Sequence, residues 1–185
     1  MSGVTSSAEE IQAFKDKRAI YDCLVRYPRG VDHADPGLLK TVYHADGIDD
    51  HGIFTGNAWE FAEFIGPFDA ELGVRQQTHR VDNVLIEFTG PHSAAVESYN
   101  ITFVDAETPD GMMASIIGGR YLDKFECRDG QWKIAHRLYV MDWNINGPSS
   151  VEWRAGMFGQ LPRGSIDMAD ASYAQFPVGT FGDGA

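Results

Sequence analysis

The chain has 185 residues, a formal net charge of -12 and a sequence pI near 4.7. A hydrophobic content of 43% and an aromatic content of 12% suffice for one well-filled core, and the chain is too short for two to be expected. The negative charge repels phosphate groups, which argues against nucleic acid or an anionic membrane as partner and favours a small ligand. The opening residues MSGVTSSAEEIQ lack the pattern of a signal peptide, and no apolar run is long enough to cross a bilayer. We therefore expect a soluble, cytoplasmic protein.

The first predicted element is an amphipathic helix that begins near residue 8. Its apolar side chains recur at three- and four-residue steps and are Ile20, Cys23, Leu24, Tyr27 and Val31. Pro28 lacks an amide proton and Gly30 is a poor helix former, so we expect the helix to kink or stop near Tyr27. Asp32 then lies near the helix end. Cys23 and Cys127 have no metal-type or redox-type spacing, which predicts two free thiols.

Two further helices are predicted from their capping residues. Asp35 followed by Pro36 begins a short second helix, which Gly47 ends, with an apolar side formed by Leu38, Leu39, Val42 and Tyr43. Residues 47–56 form a short extended segment bounded by glycines. Asn57 and Glu60 have the spacing of a capping box and predict a third helix. That helix carries a high aromatic load for its length: Trp59, Phe61, Phe64 and Phe68.

The second half of the chain predicts a sheet. Four long β-type runs, at about residues 81–88, 94–104, 112–126 and 131–143, are separated by turn residues and predict an antiparallel meander. Helices followed by strands indicate an α+β class with the helices on one face of the sheet. Gly118 and Gly119 allow a bulge that would curl the sheet around a cavity. We expect one domain over residues 1–145 and, over residues 146–185, an irregular arm that covers the pocket or a subunit interface.

Several segments together resemble a known family. The chain resembles the SnoaL-like branch of the nuclear-transport-factor-two-like superfamily, and in pattern it is most similar to scytalone dehydratase and lindane dehydrochlorinase. The segments that carry the resemblance are GVDHAD at 30–35, LLKTVYHAD at 38–46, THRVDN at 78–83 and GGRYLDKFECRDGQWKIAHR at 118–137. The resemblance covers roughly residues 8–145. It implies a strongly curved, mixed or antiparallel sheet, a cone-shaped barrel capped by N-terminal helices.

The resemblance also implies catalytic residues. An aspartate at the end of the first helix orients a histidine that removes a proton from the substrate, and Asp32 and His79 match these positions. Arg137 matches an arginine that lines the dehydrochlorinase pocket. A carboxylate that binds one imidazole nitrogen fixes the tautomer and makes the other nitrogen a general base, while a buried arginine can stabilise a departing anion. Where the dehydrochlorinase has a lysine, this chain has Tyr27, which favours recognition of a hydroxyl or carbonyl group.

These assignments have simpler alternatives. Asp32 can be a helix-end residue, His79 can be a strand histidine bonded to the backbone, and Arg137 can pair with Asp123 or Glu126 across the hairpin. Besides the three catalytic candidates, we expect six side chains to contact the substrate: Tyr27, Tyr43, His51, Asn83, Trp59 and Phe64. The histidines and carboxylates between residues 33 and 51 have no standard metal-binding spacing, so no metal is predicted.

The first functional hypothesis is a lyase that needs no cofactor and acts on a small hydrophobic, aromatic or alicyclic substrate. Water is the expected leaving group, and retro-aldol loss of a small carbonyl fragment uses the same residues. The alternatives are an isomerase or cyclase acting through an enolate, and a non-catalytic ligand-binding domain. We also expect a homotrimer, with a dimer as the alternative, through Trp132, Ile134 and Leu138 exposed on one face of the last strand.

Overall fold

The computed structural model describes residues 7–181 and has three helices and six strands around one core. The helices are α1 (Ser7–Asp32), α2 (Pro36–Val42) and α3 (Ala58–Glu71). The strands are β1 (Tyr43–Asp50), β2 (Thr55–Asn57), β3 (Val74–Gly90), β4 (Ser93–Thr108), β5 (Gly111–Arg128) and β6 (Gln131–Pro148). Within residues 7–181, no helix is both long and apolar enough to cross a membrane.

The strands form one sheet in the order β2-β1-β6-β5-β4-β3. The meander from β3 to β6 is antiparallel, as predicted, and β1 pairs with β6 in parallel, so that the sheet is mixed. The sheet is curved and does not close, which leaves β2 and β3 as its edges. The α+β class is confirmed, with an open curved sheet instead of a closed barrel.

The core lies between α1, α3 and the sheet. All five residues of the predicted α1 stripe are buried, and they pack with α3 and with sheet residues that include Val96, Phe125 and Ile134. Both cysteines are free, as predicted. The Cys23 side chain is buried and donates a hydrogen bond to the carbonyl oxygen of Trp132 at 3.1 Å, so it acts as a core residue.

The alternative that α1 stops near Tyr27 was wrong. Helix α1 continues through Pro28 to Asp32, because Tyr27 and Val31 stay buried on the same face and tertiary packing outweighs the one hydrogen bond that proline removes. Gly30 lies against Leu39, where a Cβ would come within 2.7 Å of the Leu39 Cγ, so this glycine lets α2 approach α1 closely.

The predicted start signals of α2 and α3 are confirmed. Asp35 accepts a hydrogen bond from the Leu38 amide at 2.9 Å, and Asn57 accepts from the amides of Trp59 and Glu60 at 2.9 and 3.3 Å. The predicted end of α2 at Gly47 was wrong. The helix ends at Val42, and the chain turns directly into β1, where pairing with β6 supplies the backbone hydrogen bonds.

Bulges decide which side chains of the long strands face the core. In β6, Ala135 is an extra residue between the pairs formed by Ile134 and His136, so Trp132 and Ile134 face the core before it and Arg137 faces the core after it. Trp132 and Ile134 are therefore buried, and the prediction that they form an exposed subunit surface was wrong. The predicted irregularity at Gly118 and Gly119 is confirmed as a register shift between β5 and β6.

The arm after β6 is irregular, with short 3₁₀ turns at Phe158–Gln160 and Ala171–Ala174. It packs against the corner between α1 and α2. The Tyr173 hydroxyl donates to Asp35 at 2.8 Å, Arg29 donates to the Ser172 hydroxyl at 2.9 Å, and the His33 ring lies 2.9 Å from the Ser165 carbonyl oxygen. A contact of this arm with a second subunit stays a prediction.

Replacement of Gly119 tests the close approach of β5 and β6 at this register shift. A Cβ at this position would lie 2.5 Å from the Val140 carbonyl oxygen and 2.6 Å from the Tyr139 hydroxyl, so Gly119→Ala forces the two strands apart. We expect a loss of about 1–3 kcal/mol in the free energy of unfolding, measured by urea denaturation. Gly147→Ala is the matched control, because no atom lies within 4 Å of its added Cβ. Equal stability of the two variants would contradict this packing.

Candidate functional site

A cavity of about 860 Å³ lies between α3, the end of α1 and one face of the sheet. Its walls are mainly apolar, with Phe61, Ile65 and Phe68 from α3 and, from the sheet, Val104 and Ile117. This volume is within the range of small-molecule sites, which are typically about 300–1,000 Å³ and mostly apolar. The cavity therefore suits a small hydrophobic molecule.

Asp32 and His79 meet at the wall of this cavity. The His79 Nδ1 lies 2.6 Å from a carboxylate oxygen of Asp32, and the backbone amide of His79 donates to both carboxylate oxygens at 3.1 and 3.2 Å. His79 lines the cavity, whereas Asp32 lies behind it, and the two side chains are only 13% and 15% exposed. The Nδ1 atom therefore carries the proton that Asp32 accepts, and the Nε2 atom has no hydrogen-bond partner among residues 7–181.

The position of β3 at the sheet edge explains this contact. His79 pairs with Thr102 of β4 on one side only, so its amide points away from the sheet and needs another acceptor. Asp32, the last residue of α1, supplies that acceptor. One carboxylate thus binds the strand edge and orients the imidazole.

Tyr27 and His51 also line the cavity. The Tyr27 hydroxyl lies 3.2 Å from the His51 Nε2, and the His51 Nδ1 lies 2.5 Å from the buried carboxylate of Asp49. Tyr43 is not in the cavity wall: it is fully buried behind Asp49 and donates its hydroxyl to that carboxylate at 2.5 Å. The expected direct contact of Tyr43 with substrate is therefore corrected to a contact with Asp49.

Arg137 lies beneath the cavity and does not line it. Its guanidinium donates two hydrogen bonds to Asp123 at 2.8 and 2.7 Å, and its central carbon lies 4.1 Å from the ring centroids of both Tyr27 and Tyr121. Burial would lower the pKa of Arg137, but the Asp123 carboxylate raises it well above the usual value, so the group stays charged. The structure thus shows the simpler alternative, in which Arg137 pairs with Asp123 across the two strands. The expected direct contact of Arg137 with substrate is corrected to this contact with Asp123.

Three other predicted contacts lie outside the cavity wall. Asn83 is exposed and has a φ of +46°, because an extra residue between Asp82 and Leu85 interrupts the alternation of β3. Trp59 is 39% exposed on the outer side of α3, and Phe64 packs between Phe54 and Phe68. The capping and aromatic signals identified α3 correctly, but they did not identify which of its faces turns inward.

Asp69, Gln77 and Asn100 are among the polar residues of the cavity wall that sequence reasoning missed. Asp69 on α3 accepts a hydrogen bond from Gln77 at 2.9 Å, and Gln77 also donates to the Val31 carbonyl oxygen at 3.1 Å. Asn100 is 2% exposed, and its side-chain oxygen has no partner within the part of the chain that the structure describes. The alternation of β4 could have placed Asn100 beside Thr102 on an inward face, but no local signal marks Asp69.

The cluster of histidines and carboxylates between residues 33 and 51 does not converge. His33 contacts the arm, the His44 ring lies 3.0 Å from the Glu126 carbonyl oxygen, and His51 bonds Asp49. Across residues 7–181, no group of three or more His, Cys, Asp or Glu side chains is arranged to hold a metal ion.

The carboxyl group of Asp69 provides a test of the electrostatics of the cavity. Burial raises its pKa above 3.8, and the charge of Asp32 adds to this increase. The folded protein therefore binds this proton more tightly than the unfolded chain, so stability falls as the pH rises from about 4 through the raised pKa. Asp69→Asn removes this loss and can still accept from Gln77.

We expect Asp69→Asn to be more stable than the wild type at pH 7 and equal to it below about pH 4, in urea denaturation at both pH values. Asp110→Asn, on the exposed turn after β4, is the matched control and should change neither value. An Asp69→Asn variant that is less stable at pH 7 would contradict this assignment.

Comparison with known proteins identifies the domain. Residues 12–138 match the SnoaL-like domain family, whereas no curated protein matches the chain. A solved structure of a putative scytalone dehydratase from Novosphingobium aromaticivorans has 21% sequence identity and a TM-score of 0.60, covering 76% of this chain and 91% of that one. Hexachlorocyclohexane dehydrochlorinase LinA-type3 from Novosphingobium barchaimii has 20% identity and a TM-score of 0.66, covering 80% and 99%.

A third similar structure includes the arm. A protein of unknown function from Mycobacterium tuberculosis has 21% identity and a TM-score of 0.57, and the match covers 97% of this chain and 92% of that chain. At these identities the solved structures show a common fold, while the family match extends over more than half of the sequence. The chain belongs to the SnoaL-like domain family, within the nuclear-transport-factor-two-like fold.

Proposed function

We propose that the protein is a lyase that needs no cofactor, in which His79 removes a proton from carbon and a leaving group departs from the neighbouring carbon. The observation that carries this proposal is the 2.6 Å contact between His79 and Asp32 in the wall of a largely apolar cavity. Dehydratase-like and dehydrochlorinase proteins among the similar structures support the reaction class. The proposed location is the cytoplasm.

The chemistry follows from the geometry of the pair. Asp32 holds the proton on Nδ1, which leaves the lone pair of Nε2 available to a substrate C–H bond. As Nε2 takes that proton, the ring becomes positively charged, and the adjacent carboxylate stabilises this charge. The C–H electron pair forms a double bond and the leaving group departs with its own pair. Arg137 supports this arrangement from below by packing between Tyr27 and Tyr121.

The proposed substrate is a small aromatic or alicyclic compound that carries a hydroxyl group β to an acidic C–H bond. The aromatic and aliphatic wall residues of α3 and the sheet favour a ring, and the polar groups at the wall favour one or two oxygen atoms. Loss of water is the proposed outcome. Retention of the substrate mass with uptake of solvent deuterium would instead indicate an isomerase.

Replacement of the pair tests the reaction. With a panel of small cyclic β-hydroxy ketones, the wild type should form a conjugated ketone that is detected by its ultraviolet absorbance. His79→Gln and Asp32→Asn should each lower kcat by about 10²- to 10⁴-fold, because a general base contributes that much. His92→Gln, on the exposed turn between β3 and β4, is the matched control. Undiminished turnover in both variants would contradict the proposal.

We propose that the chain forms a homotrimer through the outer face of the sheet, in place of the surface predicted from β6. Five large apolar side chains are exposed there at neighbouring positions of β4, β5 and β6, with exposed fractions from 38% to 63%: Tyr99, Ile101, Ile116, Trp143 and Ile145. An exposed apolar patch on a sheet is typical of an interface.

A charged residue in this patch tests the trimer. Ile145→Glu should convert a trimeric sedimentation mass to a monomeric one, because an unpaired charge at an apolar interface costs about 1–3 kcal/mol or more per contact. Ile11→Glu, on the exposed side of α1, is the control and should keep the wild-type mass. A monomeric wild type would contradict the proposal.

A further inference from the structure

The cavity contains a second pair of the same kind, formed by Asp49 and His51. The two side chains are in contact through His51 Nδ1 at 2.5 Å, and Asp49 is fully buried. The second carboxylate oxygen of Asp49 accepts the Tyr43 hydroxyl at 2.5 Å. Both oxygens of Asp49 thus accept hydrogen bonds, and Nδ1 of His51 carries a proton. Its Nε2 is the ring nitrogen that can gain or lose a proton.

The His51 ring is held in one orientation. It stacks between Phe61, at a centroid distance of 4.9 Å and an interplanar angle of 12°, and Tyr139, at 5.2 Å and 13°. Its Nε2 lies 3.2 Å from the Tyr27 hydroxyl, and both residues line the cavity. A histidine held only for structure needs no contact with a ligand cavity, whereas this one presents its edge to it.

The two histidines approach the cavity from different sides. His51 follows β1 and His79 lies on β3, and three strands separate these two in the sheet. Helix α1 ends between them and supplies a partner to each: Tyr27 to His51 and Asp32 to His79. Because a helix rises 1.5 Å per residue, these partners are separated by about 7.5 Å along the helix axis. Both histidines line the same cavity of about 860 Å³, which has room for a small ring.

The protonation state of Tyr27 fits an oxygen-binding role. Burial, together with Tyr121 and Asp49, raises the pKa of Tyr27 well above its usual value, although the Arg137 charge opposes this. Tyr27 therefore keeps its hydroxyl proton and can donate it in a hydrogen bond at neutral pH. When the His51 Nε2 also carries a proton, the ring is a cation beside the Asp49 carboxylate, and His51 and Tyr27 are two donors that meet at one point of the cavity wall.

We propose that Asp49, His51 and Tyr27 form a second catalytic group, which binds the leaving hydroxyl oxygen of the substrate and gives it a proton while His79 removes the proton from carbon. This inference rests on the proposed function. The C–H electron pair becomes the double bond, the C–O bond breaks, and the oxygen takes the C–O pair and the proton from His51 Nε2. Water leaves. His79 has then gained one proton and His51 has lost one, and exchange with solvent restores both.

The oxygen site can be tested without turnover. 4-Nitrophenol is a small aromatic probe whose anion absorbs visible light, so absorbance reports both binding and ionisation. The wild type should bind the anion, and His51→Gln and Tyr27→Phe should each weaken binding by about tenfold or more, because each removes a hydrogen bond to a charged group. The exposed control His92→Gln should stay within about twofold. Absence of saturable binding, or equal binding by His51→Gln, would overturn the inference.

The proton transfer can be tested with two leaving groups. Hydroxide needs a proton to depart, whereas chloride does not, so a matched pair of cyclic β-hydroxy and β-chloro ketones separates the acid from the base. His51→Gln should slow loss of water by about 10²- to 10⁴-fold and loss of chloride by less than about tenfold. His79→Gln should slow both reactions. Equal effects of His51→Gln on the two compounds would overturn the acid role, and a wild type inactive on both would contradict the proposed function and the proton transfer together.

Discussion

The contact between the Asp32 carboxylate and the His79 imidazole connects the fold to the proposed chemistry. It joins the end of α1 to an edge strand, and it sets which imidazole nitrogen carries a proton. The contact depends on α1 reaching Asp32 as a helix. Had the helix ended at Tyr27, Asp32 would lie on a loop, and its position relative to β3 would no longer be set by the packing of Val31 against the core.

The end of α1 thus organises the whole cavity. Tyr27 and Asp32 are five residues apart on one rigid element, and they contact His51, just after β1, and His79, on β3. Below them, the ion pair of Arg137 with Asp123 is buried and packs against Tyr27. A buried ion pair costs desolvation energy and is weak evidence for stability, so its value here lies in positioning the aromatic rings.

Local patterns in the sequence predicted much of this structure. The stripe of α1 and the capping residues Asp35 and Asn57 depend on neighbouring residues, and each is observed. The bulges at Asn83 and Ala135 were not predicted, because both faces of β3 and β6 carry polar and apolar residues, so the sequence does not show where the alternation changes phase. The positions of Asp32 and His79 came from a family resemblance, and only the fold brings them together.

The second pair could not have been found in the same way. His51 and Asp49 are two residues apart, yet their sequence context reads as an ordinary extended segment between glycines. Their significance comes from burial of Asp49, from the stacking of His51 between Phe61 and Tyr139, and from the approach of Tyr27, all of which are tertiary contacts. The proposed proton acceptor on one side of the cavity and the proposed donor on another together suit elimination of water.

Nuclear magnetic resonance of the histidine ring nitrogens tests the Asp32 and His79 contact most directly, since it needs no substrate. In the neutral ring of His79, the ¹⁵N spectrum should show the proton on Nδ1 and the lone pair on Nε2, and Asp32→Asn should produce a mixture of the two tautomers. A wild-type His79 with its proton on Nε2 would contradict the account, because the nitrogen that faces the cavity could then accept no proton.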